Sequence, residues 1–112
     1  MARILILDDN QTRLWSFKRK FIGNNVDTCM TSSECIEKLS ENEYDAVFLD
    51  HDLGGEIMVP SGPVTGFEVA EWLRDNPSRC PPEVFVHSYN PDGRKAIASI
   101  LPEAKMAPGV WI

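Results

Sequence analysis

No apolar run in this 112-residue sequence approaches the roughly 20 residues that cross a bilayer, so a membrane-spanning chain is not expected. The opening stretch, Met1 to Leu7, is too short for a signal peptide, and carboxylates follow it at once; a cytoplasmic location is expected. Positive charge is scarce. Seventeen acidic residues face eleven basic ones, and the net charge of −6 repels a polyanion, which argues against non-specific duplex binding. A small phosphorylated ligand stays compatible, because a local site can differ in sign from the whole surface. Cysteine is sparse too. Cys29, Cys35 and Cys80 are odd in number and lack CxxC spacing, which excludes a disulfide framework or a zinc ribbon as the organising feature. Repeats, low-complexity tracts and linkers are absent.

What is present suits one α/β domain spanning 1–112. Apolar residues make up 43% of the chain, enough for a core. Short aliphatic runs alternate with amphipathic stretches, the mark of a parallel sheet covered by helices. Ile4 to Leu7 reads as a central strand ending at Asp8-Asp9. Asn10 caps a helix whose stripe is Leu14, Phe17 and Phe21, with Gly23 as its stop. Val26 to Met30 reads as a second strand. Thr31 and Glu34 are spaced as a capping box for a helix carrying Ile36 and Leu39. Ala46 to Leu49 is a third strand, ending at Asp50-His51-Asp52. Leu53 to Pro63 holds three glycines and two prolines, long for a strand-to-helix connection and of the kind that forms functional lids. Thr65 and Glu68 form another capping-box pair, before Phe67, Ala70 and Leu73. Val84 to Val86 is a fourth strand, ending at His87-Ser88. Asn90 and Pro91 open a helix with the stripe Ile97, Ile100 and Leu101. A short or degenerate fifth strand is expected within Lys105 to Ile112, around Pro108.

Three aliphatic runs thus end in polar residues: Asp8-Asp9, Asp50-His51-Asp52 and His87-Ser88. In an open parallel sheet of order 2-1-3-4-5 these ends share one edge, and the binding crevice lies between the first and third strands. Asp8, Asp9 and Asp50 should converge there, with Asp52 close by. Converging carboxylates need a cation or a proton, and Mg²⁺ or Mn²⁺ suits oxygen donors that leave room for a phosphate oxygen. A plainer role, helix capping, is open to Asp9. His51 and His87 are the only histidines and both fall at this edge, where either serves as acid, base or ligand, or simply bonds the backbone. Strand alternation would point His51 away from Asp50 and Asp52 unless the backbone turns. Ser88 and Asn90 precede a helix N-terminus, a favourable place for an anion. Arg13 and Arg94 are candidate phosphate clamps, although surface charge suits Arg94 better.

These residues resemble a response-regulator receiver domain, a flavodoxin-like, doubly wound fold. The resemblance covers nearly the whole chain and rests on the acidic pair, Asp50, Gly66-Phe67-Glu68 and Ser88. It implies that Asp50 accepts a phosphoryl group, that Asp8 and Asp9 hold Mg²⁺, and that Ser88 contacts the phosphoryl oxygen. Receivers also carry a lysine before a proline on the fifth strand. Here Ala107-Pro108 stands in that place, and Lys105 could substitute only by reaching. A closer resemblance is to a divergent branch, the cyclic-phosphate processing receiver domains. It is carried by Leu49-Asp50-His51-Asp52-Leu53 and Val86-His87-Ser88-Tyr89-Asn90-Pro91, with Asp8-Asp9 and Arg13. That resemblance implies metal-dependent hydrolysis of a small cyclic phosphate derived from a nucleotide or an RNA end. Asp50, His51 and His87 would be catalytic. Ser88, Asn90 and Arg13 would bind substrate, and Asp8, Asp9, Asp50 and Asp52 would serve the metal. The alternatives are a phosphoacceptor receiver in signalling and a non-catalytic module that sequesters a nucleotide. Sequence leaves the oligomeric state open.

Overall fold

A computed structural model describes residues 2–50, 65–87 and 91–106. The chain order is β1 (Arg3–Leu7), α1 (Gln11–Lys20), β2 (Asn25–Cys29), α2 (Ser32–Glu41), β3 (Ala46–Leu49), α3 (Gly66–Asp75), a 3₁₀ turn (Pro77–Arg79), β4 (Glu83–Val86), α4 (Pro91–Ile100) and β5 (Lys105–Met106). The strands form one parallel sheet in the order β2-β1-β3-β4-β5. The expected order 2-1-3-4-5 is therefore observed. The fifth strand is short, as expected; Lys105–Met106 of it are described, and Pro108 lies outside the described residues. No helix among the described residues is long and apolar enough to cross a membrane.

Alternation along each strand divides the core into two. Leu5, Leu7, Val47, Leu49, Val84 and Val86 pack against Cys35 and Leu39 of α2, Val69, Ala70 and Leu73 of α3, and Ile97 of α4. Ile4, Ile6 and Phe48 pack on the other face against Leu14 and Phe17 of α1, with Phe21 and Phe85 alongside. A strand apolar on both faces must be central, which is why the unbroken runs Ile4–Leu7 and Val47–Leu49 sit mid-sheet.

Helix starts follow local chemistry. Asn10 Oδ1 accepts from the Arg13 N–H, and Thr31 Oγ1 accepts from the Glu34 N–H. Glu34 Oε1 reaches back to the N–H of Met30, so the expected capping box closes one residue early. The second expected box does not close in the described contacts. Thr65 Oγ1 accepts from the Phe67 N–H, whereas Glu68 accepts from the Ser32 hydroxyl and ties α3 to α2. After α1, Gly23 takes φ +94°, where a side chain would be strained.

Candidate active site

The register of the sheet aligns the polar ends. Ile6 pairs with Phe48, and Phe48 with Phe85. Two residues further along each strand, on the same face, stand Asp8, Asp50 and His87. The ladder continues through them: the Asp50 N–H donates to Leu7 O and the His87 N–H to Leu49 O. One donor atom from each of the three side chains falls within 4.8 Å of the other two. All three are buried, Asp8 completely.

Asp8 is held by four hydrogen bonds. Arg13 grips it bidentately, with Nε 2.8 Å from Oδ2 and Nη2 2.9 Å from Oδ1. The Asn10 N–H donates to Oδ1 at 2.9 Å, and His87 Nε2 lies 3.2 Å from Oδ2. A carboxylate offers about four lone-pair sites, so Asp8 is saturated. Arg13 Nη2 also stands 3.3 Å from Asp50 Oδ2 and thereby bridges the two carboxylates. Arg13 occupies the first turn of α1, where a cation opposes the helix dipole and no acidic residue accompanies it. The ion pairs with Asp8 and Asp50 offset that placement.

Burial pulls the Asp8 carboxyl upward, but bonds from His87, Arg13 and the Asn10 backbone outweigh it and hold the group below its ordinary range. Burial lowers the pKa of His87 more than Asp8 raises it, so the ring is neutral at neutral pH. Ionised Asp8 can only accept, which places the ring proton on Nε2. His87 Nδ1 is then a buried acceptor with no donor among the described residues. The ring itself rests against Phe17 and Phe48, at centroid distances of 4.9 and 6.3 Å.

The structure therefore brings together Asp8, Asp50, His87 and Arg13. Asp9 is half-buried beside them and strengthens the negative field at Arg13. His51, Asp52, Ser88 and Asn90 lie outside the described residues, as does the Leu53–Pro63 loop; the Arg94 side chain is likewise not described. The two carboxylates suit a hard divalent cation in kind, whereas the imidazole nitrogen facing them carries its proton toward Asp8. Lys105 does not replace the receiver lysine: its Nζ pairs with Glu83 at 2.7 Å, at the amino end of β4 and away from Asp50. Sequence reasoning missed the bonds from Arg13 and His87 to Asp8. A signal was present, since Arg13 breaks the charge preference of a helix start and His87 shares a strand face with Phe85.

Comparison with known proteins agrees with this architecture. The chain resembles the response regulator TrrA from Thermotoga maritima, solved in complex with Mg²⁺-BeF, with 23% identity, a TM-score of 0.75, and coverage of 96% of this chain and 87% of that one. A CheY-like receiver domain protein from Methanospirillum hungatei gives 21%, 0.73, 96% and 82%, and one from Methylobacillus flagellatus gives 21%, 0.72, 98% and 91%. These likenesses establish the receiver fold. No curated protein matches the chain. The family model for the cyclic-phosphate processing receiver domain matches residues 3–103, and the chain belongs to that family.

Proposed function

We propose that the protein is a divalent-cation-assisted phosphoesterase acting on a small cyclic phosphate, from a nucleotide or an RNA end. The observation that carries this reading is the convergence of Asp8, Asp50 and His87 at one sheet edge, in a chain of this family. A divalent ion, Mg²⁺ or Mn²⁺, held by Asp8, Asp9 and Asp50 with Asp52 beside them would neutralise phosphoryl charge and activate a water. Opening a cyclic ester needs one group to deprotonate the nucleophile and one to protonate the departing oxygen. His51 and His87 serve as base and acid. Ser88, Asn90 and the N-terminus of α4 hold non-bridging oxygens, and Arg13 contributes its guanidinium. Asp50 serves as ligand and, in a covalent variant of the scheme, as nucleophile.

A panel of 2′,3′-cyclic and other cyclic nucleotides, supplied with Mg²⁺ or Mn²⁺, tests the reading. We expect turnover of at least one member, reduced about 10²-fold or more by His87→Ala. Tight binding of one member without turnover of any would replace catalysis with sequestration.

A second reading, a phosphoacceptor receiver, draws support from the fold of the neighbours. The pairing of Lys105 with Glu83 weighs against it. Stable labelling of Asp50 by acetyl phosphate, lost in Asp50→Asn, would favour this second reading.

A further inference from the structure

We infer that Arg13 is a displaceable internal cation, which competes with a divalent metal ion for the cleft between Asp8 and Asp50. The inference rests on the divalent-ion part of the function proposed above.

The argument begins with the saturated carboxylate. Asp8 accepts from Arg13 twice, from the Asn10 N–H and from His87, and these donors fill its lone pairs. An ion can coordinate Asp8 only if one donor leaves. The Asn10 N–H is fixed by the turn that caps α1, where the same residue accepts from the Arg13 N–H. His87 is fully enclosed, its ring tilted against Phe17 and Phe48. Of the two donating side chains, Arg13 is the one that reaches solvent, at 26% exposure. It is also a long chain that can swing out without unfolding the helix beneath it. Moreover, its Nη2 spans Asp8 and Asp50, the position a bridging cation would need. Two cations cannot occupy one position, and they repel each other in a poorly screened cleft. One positive group is present at a time.

Competition has two consequences. Metal affinity is reduced, because an ion must first displace an ion pair; apparent affinity falls with the fraction of molecules whose cleft is open. The displaced guanidinium then stands at the mouth of the same cleft, free to meet a phosphate. Metal loading would thus convert Arg13 from a partner of carboxylates into a ligand for an anion.

Mg²⁺ alone is the probe, titrated into the wild-type protein and Arg13→Gln by calorimetry. In parallel, the Arg13 side-chain Nε–H resonance is followed by NMR in the wild type. We expect Arg13→Gln to bind Mg²⁺ about tenfold more tightly or better. The wild-type resonance should move toward that of a free arginine as Mg²⁺ is added. Equal or weaker binding by Arg13→Gln would overturn the competition and leave the phosphoesterase reading standing. So would binding to the wild type with the Arg13 resonance unmoved. If neither protein binds Mg²⁺, both the competition and the metal-assisted part of that reading fall, while turnover of cyclic phosphates is judged separately. Should Arg13→Gln fail to fold, the wild-type resonance and Arg13→Lys, which keeps the charge but loses the fork, decide the matter.

Discussion

Asp8 is a buried charge whose cost is met by its neighbours, and that sets what its removal does. Asp8→Ala takes two of the Arg13 bonds, leaving the guanidinium with Asp50, and removes the acceptor of His87 Nε2–H. Breaking a buried pair from one side typically costs about 3–5 kcal/mol, so urea unfolding should show a loss of that order. Arg13→Ala should cost at least as much, because it leaves the buried Asp8 and Asp50 carboxylates facing each other without the cation that bridges them. Acid should weaken the fold through the same residues. Both His87 and Asp8 titrate below their ordinary values of 6.5 and 3.8. Below each ordinary value the unfolded chain takes up the proton first, so stability falls as pH falls. The His87 contribution is complete above about pH 6.5 and is lost below it, and the Asp8 contribution is lost only in stronger acid. Urea midpoints at pH 7.5 and 5.5 should therefore differ more in the wild type than in His87→Gln. Equal differences would mean that His87 does not titrate as its burial implies.

Among the elements, α2 offers the clearest separation of stability from function. Its start depends on the Thr31 hydroxyl accepting from Glu34 N–H, on the side of the sheet opposite α1. Thr31→Ala should cost about 1 kcal/mol in urea unfolding and leave Mg²⁺ affinity unchanged. A change in affinity would show that α2 communicates with the cleft. Element by element, most of the molecule was legible in the sequence. Unbroken aliphatic runs identify buried strands, and Asn10, Thr31 and Thr65 mark helix starts through their own hydrogen bonds. Glu68 misled the spacing argument because a tertiary partner, Ser32, outcompeted its local one. β5 is so short that periodicity gave it only a position within Lys105 to Ile112, where Lys105–Met106 do pair with β4. The site was legible in part. Alternation carried two steps beyond Ile6, Phe48 and Phe85 selects Asp8, Asp50 and His87, but it cannot say that Arg13 lies across the two carboxylates. That depends on how α1 is seated against the sheet.

At the scale of the whole molecule, the site is an extension of one half of the core. Ile4, Ile6 and Asp8 share a strand face, as do Phe48 and Asp50, and Phe85 and His87. Phe48 lies at the centre of this row, with ring centroids 5.3 Å from Phe17, 5.3 Å from Phe21 and 4.7 Å from Phe85. Close packing there fixes the His87 ring, and the ring in turn fixes Asp8. Phe48→Ala removes the support along with buried surface, and should cost about 3–5 kcal/mol. Leu49→Ala removes comparable surface from the opposite face, where α2, α3 and α4 pack, and should cost about 2–5 kcal/mol. The two variants are thus similar in stability and differ in which face they loosen. If the α1 face holds the site in place, the imidazole nitrogen shifts of His87 should show a mixed tautomer in Phe48→Ala and a single Nε2–H tautomer in Leu49→Ala. Identical spectra in the two would mean that Asp8 alone orients His87. The aromatic row would then serve stability only, and the acidic cleft would be independent of the core it stands on.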